Sequence, residues 1–215
     1  MQKKDLPFLA LELNKLFPEA KTELNYSNNF QLLIAILLSA QTTDKQVNKA
    51  TEKLFKILKT PKDAAVLWLE KIKSCINTLG FFNNKAKNIF ATCKILVEND
   101  GKIPKTVEEL VKLPWVWIKT AKVFLAISEN APYIGVDTHV HRVLNRLWLV
   151  KTKNPLQTDK AISWGGVFTK KDHARLHHTL VLFWRYHCTA RKPKCENCVF
   201  KGKCDYYKRV VEKII

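Results

Sequence analysis

The sequence predicts an all-α fold. Three observations carry that reading: apolar residues recur at helical spacing through almost every segment, no stretch alternates convincingly as a strand, and the intervals between apolar segments are short and polar. At 215 residues with 47% hydrophobic content, the chain can bury a sizeable core as one large domain or two small ones.

Taken in order, the first helix falls at about 5–17 in "MQKKDLPFLALELNKLF", where Asp5, Glu12, Asn14 and Lys15 interrupt the apolar residues and exclude the continuous core of a signal peptide. The second, about 30–40, holds the longest uninterrupted apolar run, Leu32 to Leu38, which is too short to cross a bilayer. Thr43 with Gln46 fits a capping box that opens a third helix at about 44–58. Helices at about 63–77 and 84–98 follow, joined by the polar "FFNNKA". Past "NDGKIPKT", Pro104 and the pair Thr106 and Glu109 mark another start at about 106–112. "KLPWVWIKTAKVF" then reads as a turn feeding a helix at about 119–129, and Asp137 opens one at about 137–149. "KTKNPLQTDK" is the most linker-like piece, and a final helix covers about 172–187. No internal repeat or low-complexity tract stands out.

Lys and Arg total 37 against 19 Asp and Glu, a formal net charge of +18. That excess is far beyond what solubility requires and points to a polyanionic partner, most simply nucleic acid. With neither a signal peptide nor a membrane span, the expected protein is soluble and intracellular. Disulfides are disfavoured in that setting, which directs attention to metal or redox chemistry for the six cysteines.

The strongest local signal is "CTARKPKCENCVFKGKC". Cys188, Cys195, Cys198 and Cys204 stand as C-x6-C-x2-C-x5-C in a short basic loop, where four thiolates can converge on one metal centre. Four soft ligands suit either a [4Fe–4S] cluster or a structural zinc. A zinc ribbon normally pairs two C-x2-C knuckles, and only Cys195 with Cys198 forms one, so the spacing favours iron–sulfur. Cys75 and Cys93 are single residues on apolar helical stretches and read as small core residues.

Four stretches together resemble the endonuclease III family: "TELNYSNNFQLLIAILLSAQTTDKQVNKAT", the frame "LPxVxxKTA" at 113–121, "VDTHVHRVLNR" at 136–146 and "RYHCTARKPKCENC" at 185–198. The resemblance runs in order over nearly the whole chain and is weakest between about 150 and 175. It implies a two-lobed helix–hairpin–helix DNA glycosylase fold with a C-terminal iron–sulfur loop. One lobe would span residues 22–132, and the other would join 1–21 to 133–215, with a DNA groove between them. It also implies a [4Fe–4S] cluster on the four cysteines rather than zinc.

The activity implied is that of a base-excision DNA glycosylase removing oxidised pyrimidines, with lyase activity at the abasic site. The partner would be double-stranded DNA carrying damaged bases or abasic sites, met in the bacterial cytoplasm by a monomer with no membrane attachment. The residue matching the family nucleophile is Lys119, which must attack the sugar as a neutral amine. Asp137 matches the family aspartate; as a helix N-cap it would be expected there without catalysis, and both roles can hold together. His139 and His141 do not share a helix face, which argues against a metal pair. Extruding a damaged nucleotide leaves a gap to be filled, for which the resemblance offers Gln41 and, in the loop after "LG", Phe81. Arg191, Lys192 and Lys194 of the cysteine loop would meet DNA phosphates.

One departure bears on activity. The family's hairpin reads Leu-Pro-Gly-x-Gly, because glycine permits a tight turn and a close approach of backbone N–H groups to phosphate. Here Trp115 and Trp117 occupy the glycine places, and Trp184 stands at another usual glycine. Only 6 Gly occur in 215 residues, well below the usual ~7%. The pattern fits either a gene drifting in an A/T-rich genome or one misread at glycine positions. The expectation is that both hairpin tryptophans meet left-handed dihedrals, that the turn relaxes to a wider loop, and that activity is weakened. An adenine-DNA glycosylase would lack the lysine and would carry a further C-terminal domain. A non-catalytic DNA-binding remnant is the other alternative.

Overall fold

The structure is a computed structural model that describes residues 1–66, 68–162 and 170–211. All regular elements among the described residues are helical. In chain order they are α1 Leu6–Leu16, α2 Asn29–Leu38, α3 Asp44–Ile57, α4 Asp63–Val66, α5 Leu69–Ile76, α6 Phe82–Glu98, α7 Val107–Leu110, α8 Ile118–Ser128, α9 Thr138–Arg146, α10 Pro155–Ala161 and α11 Lys170–Tyr186. Short 3-10 turns and a terminal π turn at Tyr207–Val211 complete them. No helix among the described residues is long and apolar enough to cross a membrane.

These elements form two compact units, Glu23–Glu129 and Met1–Thr22 with Asn130–Ile215. The first is built around α2. Every residue from Phe30 to Leu38 is buried, and all but Gln31 are apolar, so this helix must be central rather than amphipathic. It packs against α3, α6 and α8, which offer Val47 and Leu54, Ala86 and Ile89, and Ala121 and Phe124. Its start is fixed by Asn28, whose side-chain oxygen accepts from the Gln31 N–H at 2.9 Å. The expected capping box opens α3: Thr43 Oγ1 accepts from the Gln46 N–H and Gln46 Oε1 from the Thr43 N–H, both at 3.3 Å. At α7, Thr106 Oγ1 accepts from the Glu109 N–H at 3.3 Å.

The second unit packs α11 against α1 and α9. Its core joins Leu6, Leu9 and Leu13 to Val140, Val143, Leu180 and Phe183, with Phe200 of the C-terminal loop inserted among them. The stretch that reads as a linker contains a helix, which corrects that expectation. Asn154 caps α10 by accepting from the Gln157 N–H at 2.9 Å, and Pro155 takes the first helical position, where its missing N–H costs nothing. Thr158 of α10 is fully buried and hydrogen-bonds His141 of α9 at 2.6 Å, so the segment docks instead of spanning. The single helix expected at about 63–77 is two, α4 and α5, with Trp68 at the N-cap of α5.

Candidate functional site

The frame around Lys119 is a tight turn held by two buried anchors. Leu113 and Val116 are each 4% exposed, and the Val116 N–H donates to the Leu113 carbonyl at 3.1 Å. Pro114 occupies the second turn position and Trp115 the third, with φ 63°. That is the geometry of a type II turn, whose third residue must be left-handed. The turn therefore keeps the tight form the frame demands and does not widen. Trp117 differs from the expectation as well: with φ −88° and ψ 165° it is extended, caps α8 and imposes no left-handed strain. The residue is 70% exposed. Lys119 follows as the second residue of α8, on the exposed side of the helix start.

Three further non-glycine residues of this unit hold the same unfavourable backbone: Gln41, Phe81 and Asp100, the last at φ 57° beyond the end of α6. Gln41 has φ 54° in the turn after α2, and Phe81 has φ 57° as the N-cap of α6. Both are exposed, Phe81 by 65%. Non-glycine residues at positive φ are uncommon and cost of order 1 kcal/mol each; aspartate tolerates that region better than most, so Gln41 and Phe81 call for a cause more than Asp100 does.

Asp137 caps α9. Its Oδ1 accepts from the backbone N–H groups of His139 at 2.9 Å and Val140 at 2.8 Å, as an N-cap aspartate should. His139 stacks on Trp184 with ring centroids 3.6 Å apart, and the buried Trp184 Nε1 has no hydrogen-bond partner. The far end of α9 holds the cysteine loop. Arg146 donates to the carbonyls of Thr189 at 2.8 Å and Ala190 at 3.0 Å and lies 3.4 Å from Cys188 Sγ, while Arg142 donates to the Cys188 carbonyl at 3.3 Å. Neither arginine is assigned by the sequence reading, although both stand inside the quoted "VDTHVHRVLNR".

All six cysteines are free thiols, and Cys188, Cys195, Cys198 and Cys204 line one cavity together with Arg146 and Tyr207. Burial pushes the Cys198 thiol up to about 11 and also raises Cys195 and Cys204. A cationic iron centre reverses that penalty by binding the thiolate forms, so four soft ligands around one cavity in a basic loop fit an iron–sulfur cluster. Arg191, Lys192 and Lys194 project as exposed residues from the loop between Cys188 and Cys195. Cys93 is buried in the core as expected, with its thiol pushed up to about 12, whereas Cys75 is only half-buried.

Comparison with known proteins agrees with this inventory. Residues 34–165 match the HhH-GPD superfamily of base excision DNA repair proteins, and residues 188–204 match the iron–sulfur binding domain of endonuclease III. The chain is 43% identical over 194 residues to endonuclease III of Haemophilus influenzae and to that of Escherichia coli, covering 90% of this chain and 91% of each relative. Among solved structures, it resembles a trapped endonuclease III–DNA covalent intermediate with a TM-score of 0.89 at 36% identity, covering 100% of both chains.

Proposed function

The chain belongs to the endonuclease III family of base excision DNA repair glycosylases, and we propose that it removes oxidised pyrimidines from double-stranded DNA and cleaves the resulting abasic site by β-elimination. The observation that carries the proposal is Lys119, held exposed at the start of α8 directly after a tight turn with buried anchors. The likeness to a trapped endonuclease III–DNA covalent intermediate supports a nucleophile that bonds to the DNA.

In the reaction, the Lys119 Nζ lone pair forms a bond to C1′ as the bond from C1′ to the base breaks, and the base departs with that electron pair and takes up a proton. Opening of the sugar ring protonates its oxygen and leaves an iminium between Nζ and C1′. Loss of a C2′ proton then expels the 3′ phosphate oxygen, and water hydrolyses the imine to free the lysine. The Asp137 carboxylate stabilises positive charge developing on the sugar and assists the proton transfers.

Gln41 and Phe81 fill the space that the extruded nucleotide leaves. Trp115 and Trp117 flank the backbone N–H groups of the hairpin, at the cost of a weaker phosphate contact. Arg191, Lys192 and Lys194 grip phosphates. Cys188, Cys195, Cys198 and Cys204 would hold a [4Fe–4S] cluster, which supplies a rigid cross-link for that basic loop. The protein acts as a monomer on chromosomal DNA in the cytoplasm.

The test is single-turnover excision from duplexes carrying one oxidised pyrimidine or one oxidised purine. Selective release of the pyrimidine supports the reading, and release of the purine alone contradicts it.

A further inference from the structure

Lys85 is 2% exposed, a rare state for a lysine, and no step above uses it. It closes the first turn of α6, where a positive charge opposes that helix's own dipole. Its amine instead reaches the end of α2: Nζ donates to the carbonyl of Leu38, the last residue of that helix, at 2.9 Å and to Thr42 Oγ1. A helix C-terminus offers unpaired carbonyls and partial negative charge, so the ammonium is placed where it is best tolerated.

What this contact fixes is the turn that carries Gln41. The Thr42 N–H donates to the Ser39 carbonyl at 3.1 Å and its hydroxyl to the Ala40 carbonyl at 3.3 Å, which closes the chain around Gln41 at φ 54°. The backbone of the same lysine fixes a second strained residue: the Lys85 N–H donates to the Phe81 carbonyl at 3.0 Å, the first helical bond of α6, with Phe81 at φ 57°. Strained backbone persists only where its surroundings over-determine it. One buried residue thus ties together two exposed, left-handed residues from separate loops.

We infer that Lys85 is a positioning residue that holds Gln41 and Phe81 in register with each other for insertion into DNA at the extruded nucleotide. The inference rests on the roles proposed above for those two side chains.

The test compares affinity for a duplex containing a tetrahydrofuran abasic analogue with affinity for the intact duplex. Lys85→Met removes the amine and keeps an apolar stem of similar length. The expected result is a roughly tenfold or larger fall in the ratio of the two affinities, with intact-duplex binding nearly unchanged, and no further fall when Gln41→Ala is added, as expected of residues acting as a unit. Should Lys85→Met fail to fold, Thr42→Val carries the test, because it deletes the lysine's acceptor, together with the hydroxyl's own bond to the Ala40 carbonyl, and preserves shape; the same selective fall is expected. A lowered melting temperature with an unchanged ratio, or losses that multiply independently in the double variant, would overturn the inference. If Gln41→Ala and Phe81→Ala themselves leave the ratio unchanged, the insertion roles fail first and the inference falls with them. A normal ratio in Lys85→Met, when Gln41→Ala and Phe81→Ala both lower it, overturns the inference and leaves the insertion roles standing.

Discussion

The Arg146 guanidinium lies 3.4 Å from Cys188 Sγ and donates to the next two carbonyls, so the helix that Asp137 opens is also the helix that anchors the cysteine loop. A fork of donors meets three acceptors here, a geometry that lysine's single ammonium does not reproduce. Arg146→Lys is therefore expected to lose its iron faster than wild type during dialysis against chelator, while helical circular dichroism stays near normal. Retention equal to wild type would show that the loop is held by its other contacts.

The four cysteines around one cavity set a simple analytical expectation. Protein purified without chelator should be yellow-brown and hold about four irons per chain, the content of a [4Fe–4S] cluster. Cys198→Ser should lose the colour and expose the C-terminal loop to protease. Zinc at full occupancy in wild-type protein would contradict the cluster assignment.

Trp115 at φ 63° and Trp148 at φ 64° stand in positions made for glycine. Trp148 follows the end of α9, where its N–H donates to the Asn145 carbonyl at 3.0 Å and the Leu149 N–H to the Leu144 carbonyl at 2.9 Å. That is a Schellman motif with tryptophan in the left-handed place. Trp115→Gly and Trp148→Gly should each raise stability in urea unfolding by about 1–2 kcal/mol, less what is lost in ring contacts. Trp117→Gly should bring no such gain, since Trp117 is already extended. The pair Trp115→Gly with Trp117→Gly should also tighten binding to abasic DNA, and weaker binding would show that the indoles make contacts of their own.

Burial lowers the affinity of the Lys85 amine for its proton, below the ordinary 10.5. The unfolded chain then binds that proton more readily than the folded one. The contribution of this group to stability is complete above 10.5 and is lost as pH falls through the lower folded value. Wild type should accordingly gain stability relative to Lys85→Met as pH rises from neutrality toward 10.5. A difference that is flat over that range would mean that the amine titrates alike in both states.

The helices were largely legible because apolar spacing and caps are local signals, as Thr43 with Gln46 shows. The helix α10 was missed because "KTKNPLQTDK" is polar, although Asn154 before Pro155 is itself a start signal. The iron–sulfur domain could be read from spacing, since one short segment supplies all four cysteines. What holds that loop could not, because Arg146 contacts residues more than 40 positions away. Lys85 was hidden for a related reason: a lysine in a polar stretch reads as solvated until the fold places it at the end of another helix. The hairpin was half legible. Leu113, Pro114 and Val116 specify the turn, but only the backbone shows that Trp115 takes the strained position and Trp117 does not.

The central claim is that Lys119 is the nucleophile, and trapping with borohydride on a duplex containing one abasic site tests it most directly. Hydride delivered to the iminium between Nζ and C1′ makes the link permanent and detectable on a denaturing gel. Wild type is expected to form the cross-linked species and Lys119→Gln to form none, although the variant should still bind the duplex. Equal trapping by Lys119→Gln would show that another amine does the work and would contradict the account.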